Sequence, residues 1–337
     1  MSREVTLRQA IARQPQSLSD GISSITATLD QISLAPLRNG TTVVTGIGAS
    51  LYGAQAGSAY MRSSGLRAFA LPSTALYDRA VDAGDAYIAL SASGRSVEPA
   101  KAMELRPDAH SYGISGVVTS PLASYVRHMV GTACGDDSGP NTTSYIGTLL
   151  ALGLMSQKAA DRHSFDWSVL PDAAAKVLED VPGKISHASA IFANRTAVDC
   201  VGSGEAFGTA GYTSLLLREA VRSPAQQWDT LNFLHGPMEP NDAGTGVILF
   251  GDDREVELAS VLAGFGIPAL LITSRDGVRD AEKLVTIRIP SLGDAMADAI
   301  LQTIPAQLLT AQMSEDAGLP VCEFRYRQGG TKITPAA

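Results

Sequence analysis

Short continuous runs of β-branched and aliphatic residues alternate along this chain with longer stretches rich in Ala, Leu and Gly. TTVVTGIG at 41–48 is apolar on both faces and ends in glycine, as expected of a buried parallel strand. The same reading makes strands of 66–73, 86–93, 110–117, 127–134, 196–204, 245–252, 268–274 and 284–290. Between them the pattern predicts helices over 50–65, near 74–81, over 96–105, 141–162, 173–194, 208–222, 255–266 and 293–316, with a short helical turn at SPLASYV. The helix over 141–160 is apolar nearly all round, so a partner surface is expected to cover it.

The alternation occurs twice. GIG at 46–48 and GSG at 202–204 are corresponding strand-to-helix turns, their first glycines 156 residues apart. The expected fold class is α/β, with two tandem βα-repeating units of about 150 residues. One domain covers 1–163 and the other 173–337, with a linker from His163 to Asp172. An apolar share of 45% with only 6% aromatics implies cores of Ala, Leu, Ile and Val, small enough for helices to lie close on a sheet.

A net charge of −8 argues against a nucleic-acid binder. Cys134, Cys200 and Cys322 are too far apart for a disulfide framework or a metal motif, and the first two read as core residues. The N-terminus has no signal-peptide core, and the longest apolar run, Ile146 to Met155, is about half of a membrane span. A cytoplasmic setting without membrane attachment is therefore expected.

The chemistry concentrates in three places. LSASGRSVEP at 90–99 puts Ser91, Ser93 and Ser96 around Gly94 where a strand gives way to a helix. Hydroxyls and first-turn amides together surround a phosphate without a metal. The plainer alternative is an ordinary serine cap. Arg95 either adds charge or points to solvent. Gly46, Gly48 and Leu51 give G-x-G-x-x-L, and no acidic residue closes the second strand, so the nicotinamide fingerprint is poorly met.

Further on, Glu219 is flanked by Leu215, Leu216, Leu217 and Ala220, a setting that favours a raised carboxyl and general-base work. A surface pair with Arg218 or Arg222 is the alternative. His235 stands in FLHGP, where the Gly-Pro fixes a turn. The acidic stretch FGDDREVE at 250–257 is the second half's counterpart of the serine loop and would repel a phosphate. Asp136, Asp137, Asp252 and Asp253 fit no metal-binding spacing, and no metal or cofactor is expected.

Together the SASGRS loop, the GIGAS turn, GDDSGPNTT and the Glu219–HGP spacing of 16 residues resemble the tandem sugar isomerase (SIS) domain family. That family includes the isomerase half of glucosamine-6-phosphate synthase and related phosphosugar isomerases, deaminases and deglycases. The resemblance implies two tandem SIS domains, each a flavodoxin-like, doubly wound parallel-sheet α-β-α sandwich. It implies that Ser91, Ser93, Gly94 and Ser96 hold a phosphate and that Gly48, Ser50 and Thr142 meet the sugar. It also implies that Glu219 moves a proton between C1 and C2, that His235 assists ring opening, often across a homodimer interface, and that Lys332 matches a C-terminal lysine that closes the site.

The departures are Ala92 for Gln, Ser144 for Lys, Leu216 for Lys and Asn232 for Glu. HGPMEP, with Glu239, is nearer to the deglycases of fructosamine-type phosphates. The basic tail with Arg325, Arg327 and Lys332 reads equally as a solvated end. Two functions stand against each other: an enzyme on an amino-sugar phosphate or sugar–amine adduct, and a non-catalytic phosphosugar sensor.

Overall fold

The computed structural model describes residues 5–161, 165–319, 324–326 and 328–334. The chain falls into two compact units. The first comprises Arg13–Asp137, Thr143–Pro171 and Arg325–Ala337; the second comprises Met1–Ala12, Ser138–Thr142 and Asp172–Phe324. Each unit thus takes one terminal segment from the far end of the chain. Cys322 and His163 lie outside the described residues.

Helix α1 (Leu7–Ala12) groups with the second unit. In the first unit, α2 (Gln14–Leu29) and α3 (Ala35–Asn39) precede β1 (Thr41–Gly46), α4 (Ala49–Ser63), β2 (Arg67–Pro72) and β3 (Ala86–Leu90). Then follow α5 (Val97–Glu104), β4 (His110–Ser115), β5 (His128–Gly131) and α6 (Thr143–Ala160). All strands are parallel, in the order β2-β1-β3-β4-β5. Every residue of β3 is buried, as a strand covered on both faces must be.

The second unit repeats this plan. After α7 (Leu170–Asp180) and α8 (Pro182–Phe192) come β6 (Val198–Gly202), α9 (Glu205–Leu216), β7 (Ala225–Trp228), α10 (Thr230–Phe233) and β8 (Gly246–Phe250). The unit closes with α11 (Arg254–Gly264), β9 (Ala269–Thr273), β10 (Leu284–Arg288) and α12 (Ala295–Asp316). Its sheet runs β7-β6-β8-β9-β10, so β6 stands where β1 does and β8 where β3 does. In each sheet the winding reverses beside the first strand, which opens a crevice at the strands' carboxyl ends.

The glycine turns obey the same rule in both units. A Cβ on Gly46 would lie 2.7 Å from Ser50 Cβ, and one on Gly202 would lie 2.8 Å from Ala206 O, so only glycine lets the next helix begin that close. Gly48 and Gly204 then cap α4 and α9 with nearly identical backbones, φ 58 and ψ −133 against φ 60 and ψ −126.

Several expectations need correction. No helix spans 74–81; there is only a 3₁₀ turn at Ser73–Leu76. The Arg106 guanidinium takes the Leu76, Asp78 and Val81 carbonyls, and the Asp78 side chain accepts from Ala80 N, so the helical ladder loses its partners. The helix over 173–194 is two helices, because Pro182 has no N–H to continue the first. The apolar helix α6 needs no partner molecule to cover it: α2 and α4 of its own unit pack against it. Among the described residues no helix is long and apolar enough to cross a membrane.

Candidate functional site

Where β3 ends, the chain makes a tight loop. Gly94 adopts φ +63, and a Cβ there would lie 1.8 Å from Ser120 Oγ and 2.3 Å from Ser120 Cβ. Only glycine lets the loop lie against the segment that follows β4. Backbone bonds hold it there. Ser91 N donates to Ile114 O at 3.1 Å, Gly116 N to Ala92 O at 2.9 Å, and Leu122 N to Gly94 O at 2.9 Å. Ser115 Oγ adds a bond to Ala92 O at 3.2 Å.

The loop's hydroxyls are individually placed. Ser91 and Ser96 are buried, and Ser93 is half-buried. Ser96 N donates to Ser91 Oγ at 3.3 Å, and Ser96 is the N-cap of α5 without a side-chain capping bond of its own. Its hydroxyl accepts instead from Lys332 Nζ at 2.9 Å. The tail brings that lysine in by running antiparallel to the loop. Ser96 bridges Lys332, Val97 N donates to Thr331 O at 3.3 Å, and Ile333 N donates to Arg95 O at 2.7 Å. Arg95 is committed to this strap through Nε to Ile333 O at 3.0 Å rather than pointing to solvent. A hydroxyl-rich loop at the carboxyl end of β3 thus carries an ammonium group, a combination suited to an anion.

Beside the loop, Gly48 leaves open space where a side chain would be, and Ser50 sits half-buried in the first turn of α4. The Asp137 carboxylate accepts from Thr143 N at 3.2 Å and Ser144 N at 2.9 Å, so it caps α6. The Cys134 thiol is pushed up by burial, and Cys200 well up by the same cause, as core thiols should be.

In the second unit Thr142 is fully buried in the segment 138–142, which Tyr212 anchors by donating to Asn141 O at 2.7 Å. Glu219 is half-buried on a single π-helical turn, Leu217–Val221, that continues α9 and ends at Arg222 with φ 59. Such turns are rare, and they concentrate where a helix must aim a functional side chain. Of the two arginines considered as partners, Arg218 donates through Nε to Ala225 O at 2.7 Å. His235 is exposed just after α10, whose start Asp229 caps through Leu231 N and Asn232 N. Leu216, where the family resemblance has Lys, is buried, and Asn232 is exposed.

Ser91, Ser93, Gly94, Ser96 and Lys332 therefore converge within the first unit, where Gly48 and Ser50 also lie. Thr142, Glu219 and His235 belong to the second. Sequence reasoning overlooked Ser120. The residue is 5% exposed, and its Oγ, directly beneath Gly94, has no hydrogen-bond partner among the described residues. Its position before Pro121, at the start of a 3₁₀ turn, was the available signal. Arg327 lies outside the described residues.

No family model matches the chain. It is 27% identical over 319 residues to a glutamine–fructose-6-phosphate aminotransferase (isomerizing) of Pyrobaculum aerophilum, covering 89% of this chain and 52% of that protein. The chain thus spans about half the length of the curated relative it matches. Among solved structures it superposes on the C-terminal domain of glucosamine-fructose-6-phosphate aminotransferase from Francisella tularensis with a TM-score of 0.80 at 16% identity, over 94% of this chain and 97% of that one. Tagatose-6-phosphate ketose/aldose isomerase from Escherichia coli gives 0.77 at 20% identity, over 94% and 95%. Glucosamine-6-phosphate deaminase from Thermotoga maritima gives 0.74 at 18%, over 96% and 98%. The chain shares the fold of these phosphosugar proteins over nearly its whole length and resembles the isomerase half of the aminotransferase.

Proposed function

We propose that this chain is an enzyme acting on an amino-sugar 6-phosphate or a fructosamine-type 6-phosphate, with one phosphate site per chain. The observation that carries this reading is Lys332 Nζ 2.9 Å from Ser96 Oγ, which sets a positive charge on the serine loop. The Ser91, Ser93 and Ser96 hydroxyls bind the phosphate oxygens, and Lys332 offsets their charge. Gly48 and Ser50 line the approach of the sugar carbons, and Thr142 contributes a hydroxyl. Each half is a sugar isomerase domain on this reading, with boundaries near 1–163 and 173–337 apart from the terminal segments 1–12 and 325–337, which each group with the opposite half, and two chains form a homodimer.

The chemistry is a proton transfer between adjacent carbons. His235 passes the ring-opening proton. Glu219 removes a proton from the carbon beside the carbonyl or imine and leaves an enediol or enolamine. Returning it to the neighbouring carbon isomerises the sugar. Where the substrate carries nitrogen, that return leaves an imine. Water then hydrolyses it, releasing ammonia from an amino sugar or the amine from a fructosamine. The names of the relatives, an aminotransferase that isomerises, a ketose/aldose isomerase and a deaminase, support this range of outcomes.

The rival reading is a phosphosugar sensor. It is favoured by Leu216 and Asn232, which replace two charged groups of the resembled enzymes. A coupled assay decides between them. Purified protein is offered glucosamine 6-phosphate, fructose 6-phosphate, tagatose 6-phosphate, galactosamine 6-phosphate and fructosamine-type 6-phosphates, scoring ammonia, amine and ketose–aldose exchange. Turnover of one of them, abolished in Glu219→Gln with binding intact, supports the enzyme. Undiminished turnover in that variant removes Glu219 from the mechanism, and saturable binding with no turnover of any of them supports the sensor.

A further inference from the structure

The second unit has its own crevice at the place where the first has its serine loop. It opens beyond β8, the strand that corresponds to β3, and has a volume of about 440 Å³. Its lining has the opposite character. Five carboxylates face it, from Glu205, Asp252, Asp253, Glu255 and Asp298, against a single guanidinium, Arg254, which pairs with Glu257.

These carboxylates are held in place. Asp252 accepts from Thr273 Oγ1 at 2.6 Å, Ser274 N at 2.7 Å and Ser274 Oγ at 2.5 Å. Burial raises its carboxyl, but these bonds and the nearby Arg275 outweigh burial and leave it below the usual range, ionised at neutral pH. Asp298 accepts from Leu292 N at 2.7 Å and Ser291 Oγ at 2.8 Å, and Glu255 accepts from Thr230 Oγ1.

An independent feature points to a ligand. Gln302 lies one turn beyond Asp298 on α12, on the same face of that helix. It is 7% exposed and lines the crevice, and its Oε1 has no hydrogen-bond partner among the described residues. A buried amide oxygen without a donor has lost its water and gained nothing in exchange. Native proteins rarely leave such a group unpaired without a reason. What completes this one must donate hydrogen bonds and tolerate surrounding negative charge.

A phosphate fails on the second count, because its negative charge adds to that of the carboxylates. A bare divalent cation is poorly matched, because among the described residues no three His, Cys, Asp or Glu side chains converge as its ligands. A neutral sugar would supply donors but would leave the carboxylates uncompensated. An ammonium group on a hydroxylated skeleton supplies both. We propose that this crevice is a second ligand site, for a small hydroxylated organic ammonium ion of the amino-sugar class without a phosphate. The ammonium pairs with the exposed Asp253 beside Asp252, and a hydroxyl donates to Gln302 Oε1. The reading does not depend on the catalytic role of Glu219, so the failure of one leaves the other standing.

The test is calorimetric titration of the full chain with glucosamine as the probe, and with glucose as the same skeleton without the charge. Glucosamine is expected to bind at least about tenfold more tightly than glucose, a difference of about 1.4 kcal/mol. Gln302→Leu and Asp253→Asn are each expected to weaken it severalfold, and Ser93→Ala in the other unit is expected to leave it unchanged. Asp253 is exposed, so its variant keeps the fold even if Gln302→Leu does not. Three results would each overturn the proposal: no preference over glucose, binding unmoved by Asp253→Asn, or binding lost in Ser93→Ala.

Discussion

Lys332 Nζ donates to Ser96 Oγ at 2.9 Å across 236 residues of sequence, and backbone bonds on either side of the lysine hold it there. The strap and the charge are therefore separable. Val97 N to Thr331 O and Ile333 N to Arg95 O are main-chain bonds that survive any substitution of the lysine side chain except Pro. Lys332→Met should leave the melting temperature within about 1 °C, because the side chain is largely exposed. It should raise the KM for a sugar 6-phosphate about tenfold or more, the worth of one charge-assisted hydrogen bond to phosphate. Steady-state kinetics beside a melting curve make the check. An unchanged KM would reduce the tail to a strap.

Gly94 and Ser120 offer a second, steric test. A Cβ on Gly94 would lie 2.3 Å from Ser120 Cβ, which is fixed to the backbone and cannot swing away. Gly94→Ala should destabilise the first unit by roughly 2–4 kcal/mol, combining overpacking with the strain of φ +63. Adding Ser120→Gly removes the clash and should recover all but about 1 kcal/mol. Ser120→Ala keeps the offending Cβ and should rescue little. A double-mutant cycle read by denaturant unfolding distinguishes the two.

Much of this was legible in the chain. Strands such as β1, β3 and β8 are continuous apolar runs, and buried parallel strands have to be. The serine loop announced itself by three hydroxyls around a glycine at a strand end. What stayed hidden depends on distant partners. Residues 77–81 look helical until Arg106, far along the chain, takes their carbonyls. Helix α2 is built around Leu18, Gly21, Ile25 and Leu29, but apart from Pro15, Ile22 and Ala27 its other residues are polar, and only the apolar α6 it covers explains why it forms. The tail register could not be fixed through flexible glycines, since main-chain bonds to Arg95 and Val97 set it. Gln302 reads as one polar residue in an apolar helix, and only the crevice gives it meaning.

The pH dependence of the second unit should carry the mark of Asp280. Its carboxylate accepts from Thr286 N at 2.8 Å and from Lys184 Nζ at 3.0 and 3.1 Å, tying α8 to the edge strand β10. Burial raises its carboxyl, but the amide and the ammonium outweigh burial and hold it below the usual range. A lowered folded value means the stabilisation is complete above the ordinary aspartate pKa of about 4 and is lost as pH falls below it. The Asp280 side chain is 37% exposed and its lysine partner 47%, so solvent screens the pair and the effect should be under about 1 kcal/mol, or about 2–4 °C. Melting curves from pH 6 to pH 3 should fall more steeply for the native chain than for Asp280→Asn. Parallel curves would show that the bond contributes nothing.

The N-terminal helix separates two kinds of contact. On α1, Leu7 and Ile11 are 2% and 1% exposed, and the helix packs on α12. Arg8 on the same helix makes a forked pair with Glu315, Nε to Oε1 at 2.6 Å and Nη2 to Oε2 at 2.7 Å. The pair has the better geometry but the weaker claim on stability. Its partners are 43% and 44% exposed, and solvent and salt screen it to roughly 1 kcal/mol or less. Truncating a buried Ile to Ala costs about 2–5 kcal/mol in lost transfer and a cavity. Ile11→Ala should therefore destabilise far more than Arg8→Ala. Hydrogen exchange should locate that loss in α12 and β6, and β1 and β3 should keep their protection, because α1 belongs to the second unit. Equal losses for the two variants, or deprotection beginning in β1, would mean that α1 stabilises the chain by some route other than its packing on α12.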